Sequence, residues 1–483
     1  MNIGTIHEAA AAGDPARAAL IIDGRAISYG ELATAVERCA AGLAANGMAG
    51  RRIAVVDGGS QLSIATMLAA ARIGAAAALM NPALTPSELR VLSTDTNCAE
   101  AGVAGQRYAQ RLSDASAAKV FSTVDQLGDG GGSAPPAEDV GDREALVLFT
   151  SGTTGLPKAV GISHRQLSAR IRGFATPFRA DSPPAVAMMC VPFFHVGGAI
   201  GMLGSLYSGN TQVVQDRFDA GEWLRLVQEH RVTSTFLVPT MLQRILDHPE
   251  FARTDLSSLT AIAYGAAAAP IDLVQRAMTA LPKVAFANVF GQTETLGAYT
   301  TLLPDDHHDP RRAGSVGRPL PGVEVRVVDP DTEADVETGA VGELWVSTTQ
   351  NVGEGWLRTG DLARQDSDGY IYPSGRLKDT INRGGEKFGP VEVEEALRSH
   401  PAVSDVAVAG IDDVEMGQRV GAAVVARFPV TLEELRSHCR ELLAYFKLPE
   451  RLKIVDHIPY TETGKVNRRT LAALITARDA REE

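Results

Sequence analysis

The sequence predicts an α/β protein of more than one domain, and three observations support this. The chain has 483 residues, which is too long for a single hydrophobic core. Near its start a helical pattern at 29–45 precedes a strand pattern at 52–56 and another helix at 62–73, an alternation typical of parallel sheets covered by helices. After Gly375 a compact mix of helix and strand predicts a separate, smaller α+β domain.

The middle of the chain continues the α/β pattern and then changes to short strands. Between Gly314 and Val346 short β segments with turns predict a small β subdomain. The segment 127–144 is rich in Gly, Asp, Ser and Pro, and it predicts a surface loop. The remaining predicted elements are strands at 145–149, 234–238 and 402–409 and helices at 221–230, 391–398 and 431–443.

Composition and charge exclude several classes of function. The net charge of −12 argues against nucleic-acid binding, which needs a basic surface. The N-terminus lacks the basic and apolar regions of a secretory signal, so we expect a cytoplasmic protein. The most apolar stretch, 64–80, contains Arg72 and Gly74 and predicts a packed helix instead of a membrane span. The four cysteines have no spacing typical of zinc or redox sites, so we expect reduced core residues.

The segment 150–160, TSGTTGLPKAV, follows an apolar strand and is rich in hydroxyls and glycines. The backbone N–H groups of such a loop can converge on phosphate oxygens, and Lys158 adds a positive charge. It is not a Walker A loop, because the order Gly-x4-Gly-Lys-Ser/Thr is absent. Taken alone, the segment is explained equally well as a flexible polar loop.

A second polar turn ends the segment 288–294, NVFGQTE. A carboxylate close to a phosphate loop is useful chiefly when a divalent cation lies between the two negative groups. Glu294 is therefore a candidate Mg²⁺ ligand. A glutamate after Thr293 also suits the first turn of a helix, which is the ordinary alternative.

Three charged residues nearer the C-terminus complete the candidates. Asp361, in WLRTGD, can accept both hydroxyls of a ribose, and Arg376, in GRLKD, can donate to the same sugar. Each of the two, taken singly, more often forms a surface ion pair. Lys465 follows a glycine turn in PYTETGK, where a lysine is usually only solvated.

In this order, these stretches resemble the adenylate-forming superfamily, and within it the branch of acyl-CoA synthetases and acid–CoA ligases. The resemblance covers nearly the whole chain; each motif is weak alone, but all of them in register are highly specific. It implies an α/β N-terminal domain, residues 1–376, of two α/β sheet subdomains plus a small β subdomain, and a smaller mobile α+β C-terminal domain, residues 377–483. The matching stretches are 27–32, 71–75, 150–158, 293–294, 359–361, 376–386 and 464–465.

The resemblance implies a two-step reaction with ATP, Mg²⁺ and CoA. A carboxylic acid attacks the α-phosphate of ATP, pyrophosphate leaves, and a thiol then converts the acyl-adenylate into a thioester. Lys465 would bridge the attacking carboxylate and the α-phosphate, with Thr293, Glu294 and His195 as further catalytic residues and Glu294 as the metal ligand. The implied nucleotide-binding residues are Thr150, Ser151, Gly152, Thr153, Thr154, Gly155, Lys158, Gly265, Ala266, Ala267, Asn288, Phe290, Gly291, Asp361 and Arg376.

The resemblance also assigns roles in the second step. Lys378 takes the hinge position, about which the C-terminal domain would rotate between the two reactions. Rotation would withdraw Lys465 and bring Gly384 and Gly385, the implied thiol tunnel, beside the incoming thiol.

The segment 191–198, VPFFHVGG, matches the gate beside the acyl carboxylate, where His195 takes the gating position. A histidine packed at a strand end is the ordinary alternative. Relatives that activate amino acids carry an aspartate directly after the gate, and this chain has Val196 there. The resemblance therefore implies an apolar aliphatic or aromatic acid, not an α-amino acid. The implied substrate pocket consists of Phe194, His195, Val196, Tyr264, Ala266 and Gly291.

The chain departs from the family pattern at two places. The segment between Val346 and Gly355 is shorter than usual and lacks a Gly-Tyr pair and a short helix, and Ala159 replaces the glycine after Lys158. Neither departure overlays the residues assigned to adenylation.

Three alternatives to the CoA ligase remain at this point. A stand-alone adenylation enzyme would load a carrier protein, and a related enzyme would pass the adenylate to another nucleophile. A relative that only binds nucleotide is disfavoured, because it would need neither Lys465 nor Glu294.

Overall fold

The computed structural model describes residues 1–116, 119–129, 132–137, 140–150, 157–181, 185–353, 355–461 and 464–477. The chain divides into two compact units. Unit 1 comprises Met1–Gly265, Ala277–Tyr299 and Thr348–Glu354, and unit 2 comprises Ala266–Arg276, Thr300–Ser347 and Gly355–Glu483. Helices and strands are numbered below in chain order.

The larger sheet, counted over the described residues, has nine strands. They are β1 (Ala18–Ile22), β2 (Arg25–Ser28), β9 (Val186–Met189), β10 (Thr211–Val214), β11 (Ser234–Leu237), β12 (Ala261–Gly265), β13 (Ala285–Gln292), β14 (Gly297–Leu302) and β15 (Arg318–Pro319). Their order is β15-β14-β13-β12-β11-β9-β10-β1-β2. The central strands from β1 to β13 pair in parallel, so their carboxyl ends lie along one edge of the sheet.

A second sheet, whose strands all belong to unit 1, has six strands within the described ranges. They are β3 (Arg52–Val56), β4 (Ala76–Met80), β5 (Cys98–Ala104), β6 (Lys119–Phe121), β7 (Glu144–Thr150) and β8 (Lys158–Ser163). The order is β6-β5-β3-β4-β7-β8, parallel except for the hairpin of β7 and β8. Every residue of β4 is buried, as expected for a parallel strand with both faces covered.

Helices cover the sheets of unit 1 and fill its core. The capping boxes at Ser28 and Ser163 fix the first residues of α2 and α7. The main core joins α2, α3 and α8 to strands of both sheets. The helices of this part of the chain are α1 (Glu8–Gly13), α2 (Tyr29–Ala45), α3 (Gln61–Arg72), α4 (Pro86–Asp95), α5 (Ala109–Ala115), α6 (Val124–Gly128), α7 (His164–Phe174), α8 (Val196–Tyr207), α9 (Ala220–His230), α10 (Pro239–Leu246) and α11 (Ile271–Ala280).

Unit 2 contains two further sheets. The first consists of β16 (Val323–Val328), β17 (Val341–Thr348), β18 (Leu357–Gln365) and β19 (Ile371–Arg376). Strand β18 pairs antiparallel with both β17 and β19. The second consists of β20 (Ile381–Arg383), β21 (Glu386–Phe388), β22 (Val403–Asp413), β23 (Gly417–Ala426) and β24 (Arg451–Ile454). Helices α12 (Pro390–Arg398), α13 (Leu432–Cys439) and α14 (Arg468–Thr476) accompany the second sheet.

The predicted fold class is confirmed, with one local correction. The two α/β sheets, the small β sheet and the C-terminal α+β part are all present. The packed helix predicted for 64–80 is wrong beyond Arg72, because Gly74 adopts φ +69° and ends the helix, and Ala76–Met80 form β4. In the described part of the chain, no helix has the length and apolarity to cross a membrane.

A matched pair of glycines in unit 2 tests how the backbone packs near β14. Gly317 and Gly322 have similar φ values, +82° and +78°, but a Cβ at Gly317 would lie 1.8 Å from the Thr301 carbonyl oxygen, whereas Gly322 faces open space. Left-handed backbone costs a non-glycine residue roughly 1–2 kcal/mol. We expect Gly317→Ala to lower the free energy of unfolding by about 3 kcal/mol or more, the clash adding to that cost. Gly322→Ala should lose only about 1 kcal/mol. Equal losses in urea denaturation would contradict the close approach of the Thr301 carbonyl to Gly317.

Candidate functional site

The first part of the candidate site lies at the carboxyl ends of β12 and β13 in unit 1. Tyr264 pairs in register with Asn288, and Gly265 with Val289. A Cβ at Gly265 would lie 2.0 Å from the Val289 carbonyl oxygen, so this position excludes any side chain. The exposed Ala266 follows in left-handed backbone at φ +67°, a strained conformation of a kind that clusters at ligand-binding sites.

Phe290 and Gly291 come next along β13. The Phe290 ring meets the Tyr299 ring edge-on, with centroids 5.4 Å apart and planes at 74°. A Cβ at Gly291 would lie 1.9 Å from the Gly297 carbonyl oxygen. The backbones of Gly291 and Gly297 therefore touch.

Glu294 lies in the short 3₁₀ turn that ends β13, Thr293–Thr295. The Thr295 hydroxyl accepts a hydrogen bond from the Gln292 N–H at 3.2 Å and donates to the Gly297 carbonyl at 2.7 Å. The chain then turns through Leu296 at φ +55°. The Glu294 side chain is half-buried, and no described residue forms an ion pair with it, so its oxygens suit a hard cation.

Two residues of α7 support this turn, and the sequence analysis did not identify either. Gln166 donates to the Asn351 carbonyl at 2.8 Å, and Arg170 donates to the Ala298 carbonyl at 2.9 Å. Residues four apart on a helix lie on one face. Gln166 was recognisable as the third residue after the cap at Ser163, whereas no sequence pattern points to Arg170.

The shortened segment between Val346 and Gly355 lies directly against the same turn. The Val352 N–H donates to the Glu294 carbonyl at 2.9 Å, and its side chain packs on the core of unit 1. Asn351 beside it is buried, 6 % exposed. The departure from the family pattern therefore falls on residues that contact the Glu294 backbone.

The structure describes the two ends of the predicted phosphate loop. Thr150, at the end of β7, pairs in register with Lys158, at the start of β8. The Lys158 side chain is exposed. Ser151, Gly152, Thr153, Thr154 and Gly155 lie outside the described residues.

The predicted acyl gate occupies the start of α8. His195 is the N-cap residue of this helix, half-buried, and its ring lies 4.6 Å from the Phe194 ring between centroids. Val196 begins the helix and is half-buried, while Phe194 and Tyr264 are buried at 8 % and 2 % exposure. Burial raises the pKa of the Tyr264 phenol above its ordinary value.

Asp361 and Arg376, the predicted ribose pair, meet in unit 2. They are cross-strand partners in β18 and β19, and Arg376 Nε lies 2.8 Å from Asp361 Oδ1. Asp361 is only 6 % exposed, and burial raises the pKa of its carboxyl. The positive charges of Arg376 and then Lys465 oppose that rise. The structure therefore brings these three predicted residues into one electrostatic group.

Lys465 is placed by a tight turn. The Thr461 N–H donates to the Lys465 carbonyl at 2.8 Å, the Lys465 N–H donates to the Thr461 hydroxyl at 3.2 Å, and Gly464 adopts φ +72°. The Lys465 side chain is exposed.

The remaining predicted residues lie in turns of unit 2. Lys378 is exposed in the 3₁₀ turn Leu377–Asp379, directly after Arg376. Gly384 and Gly385 form the two-residue turn between β20 and β21, with φ values of +60° and +97°. Positive φ at both positions is typical of a type I′ hairpin turn.

The Asp361–Arg376 pair yields a pH-dependent stability test. In Arg376→Met the buried Asp361 carboxylate loses its bonded partner, so its pKa should rise further. A carboxyl pKa that is raised in the folded state destabilises the fold progressively as pH rises from the unfolded-state pKa to the folded-state pKa, and the loss is constant above that range. We expect Arg376→Met to lose about 1–3 kcal/mol at pH 8 and clearly less at pH 5, measured by thermal unfolding.

Two variants control this experiment. Arg364→Met removes an arginine of β18 that stacks on Tyr372 instead of pairing with an acid, so its effect should not depend on pH. Adding Asp361→Asn to Arg376→Met should restore most of the loss at pH 8. A pH-independent loss in Arg376→Met would contradict the burial of an ionised Asp361.

Comparisons with known proteins identify the family of this chain. Residues 7–357 match the family model of the AMP-binding enzyme, and residues 392–465 match that of the AMP-binding enzyme C-terminal domain. A feruloyl-CoA synthase from Amycolatopsis is 33 % identical over 464 residues, which cover 92 % of this chain and 93 % of that protein.

Two solved structures illustrate the similarity of fold, each at 27 % identity. The amide bond synthetase McbA from Marinactinospora thermotolerans has a TM-score of 0.85 and covers 98 % of this chain and 99 % of its own. The o-succinylbenzoate CoA synthetase of Bacillus subtilis, with its acyl-adenylate intermediate, has a TM-score of 0.84 and covers 98 % of both chains. Together with the two family models, these similarities confirm the resemblance found in the sequence: the chain belongs to the AMP-binding enzyme family, in the adenylate-forming superfamily.

Proposed function

We propose that this protein is an AMP-forming acid–CoA ligase that activates an apolar aliphatic or aromatic carboxylic acid. The observation that carries the proposal is the electrostatic group of unit 2, in which the charge of Lys465 acts on Asp361, the buried partner of Arg376. If Asp361 and Arg376 bind the ribose, a lysine of the same group would lie near the α-phosphate of that nucleotide. That is the arrangement that adenylation needs.

In the first step, a carboxylate oxygen of the acid attacks the α-phosphorus of ATP, and the bond to pyrophosphate breaks. Lys465 would stabilise the charge that develops between the two reactants. Thr150, Lys158 and the loop between them would hold the β- and γ-phosphates. Glu294, with Thr293 beside it, would hold Mg²⁺, which when bound neutralises phosphate charge.

The residues proposed to contact adenine lie at the carboxyl ends of β12 and β13. Phe290 would stack on adenine, where relatives usually have tyrosine, and Asn288 with the backbone at Gly265, Ala266 and Ala267 would surround the base. Asp361 and Arg376 would bind the ribose. The Tyr299 ring supports the proposed stacking face, because it holds the Phe290 ring from its edge.

In the second step, the CoA thiolate attacks the acyl carbon, and AMP leaves with the electrons of the broken acyl–oxygen bond. We propose that residues 377–483 rotate about Lys378 between the steps and that Gly384 and Gly385 then line the thiol path. The turn at Leu377–Asp379 suits a pivot, because Leu377 and Lys378 are exposed and none of its three residues is buried.

The nucleophile is the least constrained element. CoA is favoured because the curated relative is a CoA synthase, whereas nothing in these relatives supports a carrier protein. An amine is the second candidate, favoured by the structural similarity to an amide bond synthetase. A cytoplasmic location stays a prediction.

Lys465→Ala tests the function and the role of this lysine together. We expect the wild type, given ATP, an acid panel and CoA, to release pyrophosphate and AMP and to form the acyl-CoA. The variant should lose ATP–pyrophosphate exchange by roughly 10²-fold or more, as loss of a transition-state contact does. It should still form thioester from supplied acyl-adenylate and CoA.

The matched control is Lys453→Ala, which removes another C-terminal lysine, one that bonds the Ala477 carbonyl. It should retain both half-reactions. Equal loss of the two half-reactions in Lys465→Ala would refute its assignment to adenylation, and amide products without thioester would favour the amine-using alternative.

Val196 generates a prediction about the α-amine. A buried substrate ammonium beside valine lacks a carboxylate partner, which costs several kcal/mol. Desamino acids such as 3-phenylpropionate and 4-methylpentanoate should therefore give higher specificity constants in ATP–pyrophosphate exchange than phenylalanine and leucine. Val196→Asp should narrow this difference, and a wild-type preference for the amino acids would refute the pocket assignment.

A further inference from the structure

Arg170 is a cation of unit 1 that the proposed chemistry does not use. It lies on α7, its side chain is half-buried, and its Nε is enclosed without a hydrogen-bond partner. Its only described hydrogen bond is from Nη1 to the Ala298 carbonyl at 2.9 Å. A guanidinium has five N–H donors, and the described residues accept a hydrogen bond from only one of them.

No carboxylate of the described residues compensates this charge. Burial alone lowers the pKa of Arg170, and no neighbouring acid raises it. The guanidinium lies over the Phe174 ring, 5.4 Å from its centroid, and this cation–π contact is weaker than pairing with a carboxylate would be. Holding a half-buried cation without an anionic partner is costly, unless a ligand supplies the anion.

The position of Arg170 connects it to the proposed acyl pocket. Its Nη2 lies 3.5 Å from the point where a side chain at Gly297 would begin. Gly297 in turn touches Gly291, which is proposed to form the pocket wall. Gly297 has no side chain and adopts φ +98°, so the Arg170 guanidinium is the group that lies beside the pocket wall at Gly291.

We infer that Arg170 recognises a second carboxylate, carried by the acid substrate away from the carboxylate that is activated. The inference rests on the proposed function, since it names the substrate class of the same pocket. Arginine suits this role because its planar N–H groups bind a carboxylate in a bidentate manner. The body of the substrate stays apolar, as the residues Phe194, Val196 and Tyr264 require.

The test compares α,ω-dicarboxylic acids of increasing length, from succinate to suberate, with the matched monocarboxylic acids, and 3-(4-carboxyphenyl)propionate with 3-phenylpropionate. Binding of each acid is measured by calorimetry in the presence of a non-hydrolysable ATP analogue, and kcat/KM by ATP–pyrophosphate exchange. For at least one length, the wild type should bind the diacid tenfold or more tighter than its monoacid. Arg170→Met should abolish this preference, and Arg170→Lys should retain part of it.

Arg172→Met is the control, since Arg172 is an exposed arginine on the same helix and its loss should leave the ratio unchanged. A purely structural role for Arg170 would lower thermal stability and reduce binding of both acids of a pair equally, which would overturn the inference. A wild type that binds every monoacid at least as tightly as its diacid would overturn it as well. The calorimetric measurement does not depend on turnover. If the wild type prefers the diacid in binding but forms no thioester, the result counts against the proposed reaction and not against the role of Arg170.

Discussion

The turn after β13 is the constraint on which the unit 1 part of the site depends. The proposed Mg²⁺ site requires this turn to hold the Glu294 carboxylate at a fixed point, yet the turn passes through Leu296 in left-handed backbone, which costs roughly 1–2 kcal/mol. Hydrogen bonds from Thr295, Arg170 and Val352 hold its backbone. At about 1 kcal/mol each, three such bonds offset the strain.

Two side chains of α7 support the backbone next to this turn, and their partners lie far away in the sequence. Arg170 and Ala298 are 128 residues apart, and Gln166 and Asn351 are 185 apart. The shortened segment after β17 thus has a structural task, because its backbone supports Glu294 from one side while α7 supports the following residues from the other. Its brevity is compatible with the proposed chemistry, since the support needs a single N–H and one half-buried apolar side chain, that of Val352.

The sequence predicts those helices and strands whose ends and periodicity are set by neighbouring residues. The helix at Tyr29–Ala45 carries its own capping box, and the strand at Arg52–Val56 is a short apolar run before a polar turn. An alanine-rich stretch such as 64–80 fits a buried helix or a buried strand equally well by periodicity, so Gly74 had to be weighed as a helix end. The motif order identified the family and hence the placement of Asp361 beside Arg376.

Arg170 could not have been found in the same way. Its neighbours on α7 give it no motif, and its proposed role rests on the lack of a counterion among the described residues, which only the folded chain reveals. The same is true of the influence of Lys465 on Asp361, because the two residues approach through the packing of unit 2 and not through spacing in the sequence.

The electrostatics of unit 2 connect the two proposed half-reactions. The chain is acidic overall, with a net charge of −12, so the cations that face a nucleotide must be supplied locally. Arg376 and Lys465, the two cations proposed for this role, oppose the effect of burial on Asp361 and favour its ionised form. If the proposed rotation withdraws Lys465, Asp361 keeps only Arg376, and its carboxylate becomes easier to protonate. An ionised Asp361 is the form that would bind ribose, and it is favoured when the C-terminal residues hold Lys465 close to it. Ribose binding and this orientation of the C-terminal residues then favour each other. Linkage makes that preference reciprocal, so departure of AMP after thioester formation would remove one of the interactions that draw Lys465 back.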